Sequence, residues 1–399
     1  MNDRERFLRV IEAEPDDDAV RLVFADWLEE NGDADRARFI RLQCEHHRLK
    51  EDAAPRGTAT RRRELERKIN ALLKRHREAW TAGLPAWTQK EAFQRGFLEI
   101  WQMTGKQFLD DAGRIRAIAP LDTLFLRLLK GREAAVFASE HLGGLSWLWV
   151  QEAQLTDAGV RALVSSPHLG RVCRLGLARI TLDDSKDANK LTDASAIALA
   201  EADNLPALTD LDLSGYRKIT VAGARAIVGS ARRAGLKGLN LSGGAGGPGV
   251  AALFRGRACR LTGLEELMLN DLKLGDTGAE ALAGAAALRH LQVLWLTQNK
   301  IGDRGATLLA ASPYFTELTD LDLWKNGLTD AGVLAILASP GLRGVRELQL
   351  GENPQITDAS ARAILDDGRA WQKVGLVGTQ VSPALQDQVA ARCKSSATA

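Results

Sequence analysis

The residue types that most often carry chemistry are present here, but without the spacing that chemistry needs. His46, His47, His76, His141, His168 and His290 form no spaced ligand set, and His46 and His47, adjacent on a helix, point apart. Cys44, Cys173, Cys259 and Cys393 are far apart and fit neither a zinc site nor a disulfide framework, so reduced thiols in a cytosol are expected. The glycine-rich run at 242–249 lacks the GK[ST] ending and the G-x-G-x-x-G spacing of a phosphate cradle, and reads as a turn. There is no nucleophile elbow, H-E-x-x-H, P-loop or kinase signature. The expectation is therefore a chain that is not an enzyme, with no catalytic residue, no metal and no cofactor. What remains is the chemistry of contact. Tryptophans and carboxylates recur at matched positions, as in Trp295, Asp320, Asp322, Trp324 and Glu347. Such a set suits a partner bearing Lys or Arg, through ion pairs and cation–π contacts.

The elements that position these residues repeat. Leu291, Leu294, Leu296 and Asn299 recur as Leu318, Leu321, Leu323 and Asn326, and again as Val345, Leu348, Leu350 and Asn353, at an offset of 27 residues. A fixed period in this range is the mark of a solenoid. The same apolar triplet falls at Leu121, Leu145, Val172, Leu208, Leu236, Leu264 and Trp371, each followed by apolar residues three and five positions on. About ten to eleven strands are expected. Residues 93–103 read as an atypical first strand that caps the array, and 381–393 as a closing helix. Asp157, Asp193, Asp276, Asp303, Asp330 and Asp358 precede helices, and each is expected to cap its own. An insertion of about nine residues around 181–190 should protrude as a polar loop. The ladder Asn is clear only at Asn299, Asn326 and Asn353.

The pattern L-x-x-L-x-L-x-x-N-x-L resembles the leucine-rich repeat, in its long, ribonuclease-inhibitor-like class, over roughly residues 93–393. The resemblance implies an α/β solenoid: a parallel sheet on the concave face, helices on the convex face. Alternate strand side chains point to opposite faces. If the leucines point inward, the concave face carries Glu99, Trp101 and Met103 at its start. Phe125, Trp147 and Trp149 follow, then Asp210, Asp212 and Glu266, and finally Trp295, Asp320, Asp322, Trp324 and Glu347. Arg127, Arg174 and Lys373 are the bases on that face. It holds five of the nine tryptophans, so it is the expected partner-binding surface. The N-terminal helices folding back over Trp101, Phe125, Trp147 and Trp149 would turn those residues into interdomain core instead.

Ahead of the repeats, residues 1–50 read as three short helices forming a small all-α module. The segment from Asp17 through Arg21, Asp26, Trp27 and Asp33, followed by Arg36, Phe39 and Gln43, is similar to the repeat-companion domain of large bacterial genomes, notably planctomycetes and myxobacteria. That resemblance implies no activity, and Asp26 and Trp27 read as cap and core residues. Residues 51–92 form a linker and a basic helix, and 93–399 the solenoid with its caps. Helix residues 61–77 carry eight Lys and Arg, a candidate for anion contact. Attachment to nucleic acid or an anionic surface through that helix is the alternative to protein binding. With 399 residues, 45% hydrophobic and 26% charged residues and a net charge of +2, the chain has no global field drawing it to nucleic acid. No secretory leader and no span of a bilayer are expected, and the location expected is cytoplasmic. The leading expectation is a protein-binding scaffold for a protein or peptide of basic character. Neither the partner's identity nor the oligomeric state is written in the sequence.

Overall fold

The computed structural model describes residues 3–51, 58–88, 91–100, 102–179 and 189–396. The chain divides into two compact units, Met1–Trp149 with Pro167–Val172, and Val150–Ser166 with Cys173–Ala399.

The first unit begins with four helices: α1 Asp3–Ala13, α2 Asp18–Glu30, α3 Ala34–Glu51 and α4 Thr58–Trp80. Asp17 starts α2 by accepting from the Ala19 N–H at 2.7 Å, and the chain leaves it at Gly32, with φ +89°. Leu8, Ile11, Phe24, Leu28 and Ile40 form the core of this bundle, and Trp27 stacks on Phe24 at 5.9 Å. Asp26 instead meets Arg41 on the surface, at 2.6 Å. Leu65 and Ile69 of α4 pack on Phe39.

Next comes an antiparallel hairpin, β1 Phe93–Gln94 and β2 Phe97–Leu98, turned by Arg95 and Gly96 at φ +48° and +96°. Two motif residues of α3 grip it. Gln43 donates to the Phe93 carbonyl at 2.9 Å and accepts from the Gly96 N–H at 2.7 Å. Arg36 donates to the Gly96 carbonyl at 2.6 Å from among the rings of Phe39, Trp80, Phe93 and Phe97. Burial, with Arg4 nearby, pulls this guanidinium down to about 9.

After the hairpin run β3 Gln102–Thr104, α5 Gly105–Arg116, β4 Thr123–Arg127, α6 Glu133–Phe137 and β5 Trp147–Val150. Here the expected cap strand is corrected. Residues 93–103 are a hairpin plus the start of β3, not one strand, and Met103 pairs with Leu126 in the core. Gln102 and Thr104 take the face expected for Met103, because the hairpin delivers the chain one residue out of register and a one-residue slip reverses every side chain. Glu12 of α1, only 3% exposed, accepts from Arg116 Nη1 at 2.7 Å and from the Leu121 N–H at 2.9 Å, tying the bundle to the start of β4.

In the second unit strands and helices alternate. The strands are β6 Arg174–Gly176, β7 Asp210–Asp212, β8 Gly238–Asn240, β9 Glu266–Met268, β10 Val293–Trp295, β11 Asp320–Asp322, β12 Glu347–Gln349 and β13 Lys373–Gly375. The helices are α7 Asp157–Val164, α8 Asp193–Glu201, α9 Val221–Gly229, α10 Pro248–Arg255, α11 Gly275–Ala283, α12 Asp303–Ala310, α13 Asp330–Ala338, α14 Asp358–Asp366 and α15 Pro383–Ser396. In this unit β6 to β13 pair in parallel and in chain order, and in the first unit β3 pairs in parallel with β4. Their middle leucines pair with one another: Leu211, Leu239, Leu267, Leu294, Leu321 and Leu348 are all at most 2% exposed. Burying one such side chain contributes about 1.5–3 kcal/mol. The glycine run opens α10 with Gly247 at φ +50° ahead of Pro248.

Two side-chain ladders run between repeats. Asn299, Asn326 and Asn353 each accept from two backbone N–H groups of the preceding repeat and donate to one of its carbonyls. Asn189 does the same for Ala153, Leu155 and Val150. It stands at the end of the insertion, whose residues 181–188 lie outside the described residues. Tyr216 holds the equivalent place in its own repeat, and its hydroxyl donates to the Leu177 carbonyl.

The aspartate ladder corrects the capping expectation. Three of these helix starts are capped by the threonine before the Asp: Thr192 for Ala194, Thr329 for Ala331 and Thr357 for Ala359. The aspartate carboxylate serves the next repeat instead. Asp303 accepts from the Thr329 N–H and hydroxyl at 2.8 and 2.7 Å and from the Gly332 N–H at 3.0 Å. Asp193, Asp276 and Asp330 repeat this on Thr220, Gly302 and Thr357. Among the described residues no helix is long and apolar enough to cross a membrane.

Candidate functional site

The face of β6–β13 opposite the helices is built by the alternation that buries the leucines. Asp210, Asp212, Met268, Val293, Trp295, Asp320, Asp322, Trp324, Glu347 and Gln349 are half-buried there and Glu266 is exposed. Register brings them into rows across the strands. One row reads Arg174, Asp210, Gly238, Glu266, Val293, Asp320, Glu347 and Lys373. The next reads Asp212, Asn240, Met268, Trp295, Asp322 and Gln349.

The indoles lie against this acidic band. Trp295 Nε1 donates to Asp320 Oδ2 at 3.2 Å. The Trp324 backbone N–H donates to Asp322 Oδ1 at 2.7 Å, and Lys325 Nζ stands 5.6 Å from the Trp324 ring centre. A Cβ on Gly351 would come within 2.7 Å of Trp324 Cδ1, so the glycine lets the indole lie across the neighbouring strand. At one end of the band Arg174 Nε is 3.7 Å from Asp210 Oδ2.

Four of these carboxyl groups sit above the usual carboxylate range. Asp212 is raised by burial, against hydrogen bonds from Ser214 and Asn240. Burial raises Glu266, and Asp210 and Asp320 add repulsion. Asp320 is raised by burial and by Glu347 and Asp322, against the Trp295 hydrogen bond. Asp322 is raised by burial, opposed by the Trp324 N–H. Each is a desolvated negative charge that a cation would relieve.

Two aspartates of the ladder, Asp157 and Asp330, shift the other way. Burial works to raise Asp157 and Asp330, but hydrogen bonds from Ser195 and Thr192, and from Ser360 and Thr357, hold both below the ordinary 3.8. A depressed carboxylate gives stability that is present above its unfolded value and lost as pH falls through its folded one. The raised face carboxylates have the opposite sign, because the folded state takes up their protons first. Urea unfolding followed against pH should therefore show stability held or slightly gained as pH falls from 7 toward the carboxylate range. It should then fall steeply below 3.8. Asp330→Asn should flatten that acid limb, and an unchanged limb would remove the ladder from the account.

In the first unit Phe125 and Trp149 stack at 5.6 Å, nearly parallel, and both are half-buried, as is Trp147. Phe125 and Trp147 border a cavity of about 590 Å³ together with Pro15, Arg21, Arg95, Glu99 and Asp122. The helical bundle thus flanks this aromatic patch and leaves it half-exposed. Trp101 lies outside the described residues. On α4, Arg61 pairs with Glu45 at 2.7 Å, Lys68 with Glu64 at 2.5 Å and His76 with Asp35 at 2.7 Å. Part of the helix's basic charge is thus answered locally, while Arg63, Arg67 and Lys74 are exposed. Among the described residues no group of three His, Cys, Asp or Glu could hold a metal ion. Burial pushes the Cys44 thiol up to about 12, so it is not a reactive thiolate.

Residues 287–310 and 316–337 match the leucine-rich repeat family. The second unit thus holds two stretches that match leucine-rich repeats. Its Asn ladder and in-register leucines are the same pattern in three dimensions. No curated protein matches the sequence. Among solved structures the chain is similar to one from the Rad7 and Elc1 complex in yeast. The identity is 14%, over 92% of this chain and 87% of that one, with a TM-score of 0.46. An internalin (inlF) from Listeria monocytogenes is 16% identical over 68% of this chain and 70% of its own, with a TM-score of 0.40. The tropomodulin C-terminal domain of Caenorhabditis elegans is 20% identical over 34% and 86%, with a TM-score of 0.29.

Proposed function

We propose that the chain is a non-enzymatic scaffold that holds a protein or peptide of basic character on the open face of its leucine-rich repeats. The observation that carries this reading is the pairing of half-buried indoles with carboxyl groups of raised pKa: Trp295 on Asp320, and Trp324 beside Asp322. Half-buried aromatic anchors on rigid strands are the usual energetic centres of interfaces. Carboxylates already penalised by burial gain most from an incoming Lys or Arg. Asp210, Asp212, Glu266 and Glu347 extend the same band. The helices at 3–51 are assigned to a repeat-companion module with a structural role in the first unit, through Arg36, Gln43 and Glu12. Phe125, Trp147 and Trp149 form a second contact patch on that unit.

Capture from the native cytosol, wild type against Trp295→Ala with Trp324→Ala, tests the scaffold reading. Each truncated anchor is expected to cost about 2 kcal/mol or more of binding, so the paired change should abolish capture. Unchanged capture by a folded double variant would move the site elsewhere.

A further inference from the structure

The acidic row has a period. Asp210, Glu266 and Asp320 occupy β7, β9 and β11, and Lys373 follows on β13. The intervening strands β8 and β10 offer Gly238 and Val293, and only β12 adds a charge, Glu347. Neighbouring strands are about 4.7–4.9 Å apart, so the carboxylate-bearing strands repeat every 9.4–9.8 Å or so. Electrostatics already links the three: Asp210 and Asp320, two strands away on either side, both act on Glu266.

A partner lying along this row must present cations at the same interval. An extended strand repeats one face every two residues, about 6.6–6.8 Å, or every four, about 13 Å. A helix returns to one face after seven residues, about 10.5 Å, and drifts further out of step with each return. A polyproline II segment returns every three residues, about 9.3 Å, and stays in step over three sites. Trp295 stands on β10 one row over from Val293, donates its indole N–H to Asp320, and offers the aromatic wall on which such segments dock.

We propose that the row takes a polyproline II segment that crosses the strands, with Arg or Lys at every third residue meeting Asp210, Glu266 and Asp320 and proline packing on Trp295. This deepens the scaffold reading and rests on it. Asp210 is the weakest of the three sites, because it has Arg174 beside it and its carboxylate reaches over Gly238. Glu266 and Asp320 are the pair that sets the period.

The test uses the full chain and three labelled peptides read by fluorescence anisotropy at moderate salt. The first is four Arg-Pro-Pro triplets. The second has the same residues with the arginines in one block. The third is an alanine-based helix with Arg at every seventh position. The triplet peptide should bind about tenfold tighter than either of the others, and Glu266→Gln with Asp320→Asn should erase that preference. Equal or tighter binding of the block peptide reduces the contact to net charge and overturns the period. Equal or tighter binding of the helix makes the occupant a basic helix instead. No binding of the triplet peptide overturns the proposal outright. None of these outcomes bears on capture by the Trp295 and Trp324 variant, which judges the scaffold reading separately.

Discussion

Asn353→Ala is expected to destabilise the second unit by about 3–5 kcal/mol. The side chain is fully buried, accepts from the Asn326 and Leu328 N–H groups at 3.0 and 3.1 Å, and donates to the Leu323 carbonyl at 3.0 Å. Alanine leaves all of these backbone groups without a partner and without water. Each unsatisfied buried group costs about 1–3 kcal/mol, so the sum far exceeds an ordinary surface change. Urea unfolding should show a lower midpoint, and amide exchange should show the loss concentrated at residues 323–328. The Asn326 N–H that loses its acceptor belongs to the ladder residue of the preceding repeat, so Asn326→Ala combined with Asn353→Ala should cost less than the two changes summed. Costs that add fully would mean that the rungs are independent.

Glu12→Ala should be as damaging in the first unit, and for an electrostatic reason. Arg116 is 9% exposed at its side chain, and Glu12 is the carboxylate on it, with 2.7 Å between them. Removing one partner of a buried pair leaves the other charge stranded, which costs about 3–5 kcal/mol. Replacing both ends with apolar residues, Glu12→Leu with Arg116→Met, should be milder than Glu12→Ala alone, although Arg116 also serves the carbonyls of His141 and Leu121. Thermal unfolding of the two variants beside the wild type gives the ordering. If Glu12→Ala is the milder, the pair is not what holds α1 to the strand.

The solenoid was legible because its signal is physical at every repeat. Leucine at two alternate strand positions is what a buried face requires, and the 27-residue offset is the register that pairs Leu294 with Leu321 and Leu321 with Leu348. The outward face followed from the same alternation, which is why Trp295, Asp320, Asp322 and Trp324 stand where the pattern puts them. Other features were hidden for definite reasons. Asn189 makes full ladder contacts, but the insertion carries it out of step with its repeat. Tyr216 does an Asn's work with a different functional group. Met103 was misplaced because the Arg95–Gly96 turn slips the register by one residue. Glu12 looks like any charged helix residue until the partner some hundred positions away is placed beside it. The aspartates could have been read correctly. In Thr192-Asp193, Thr329-Asp330 and Thr357-Asp358 the threonine already occupies the cap, which leaves the carboxylate to reach past its own helix.

That forward reach gives the array an arrow. Asp303 steadies the start of α13, Asp330 that of α14, and Asp358 accepts from Ser382 ahead of α15. The asparagines point the other way, since Asn353 serves Asn326, Leu328 and Leu323 of the repeat before it. Each turn is therefore moored from both neighbours, and shortening the coil at either end strips the turn left outermost of one of its two moorings.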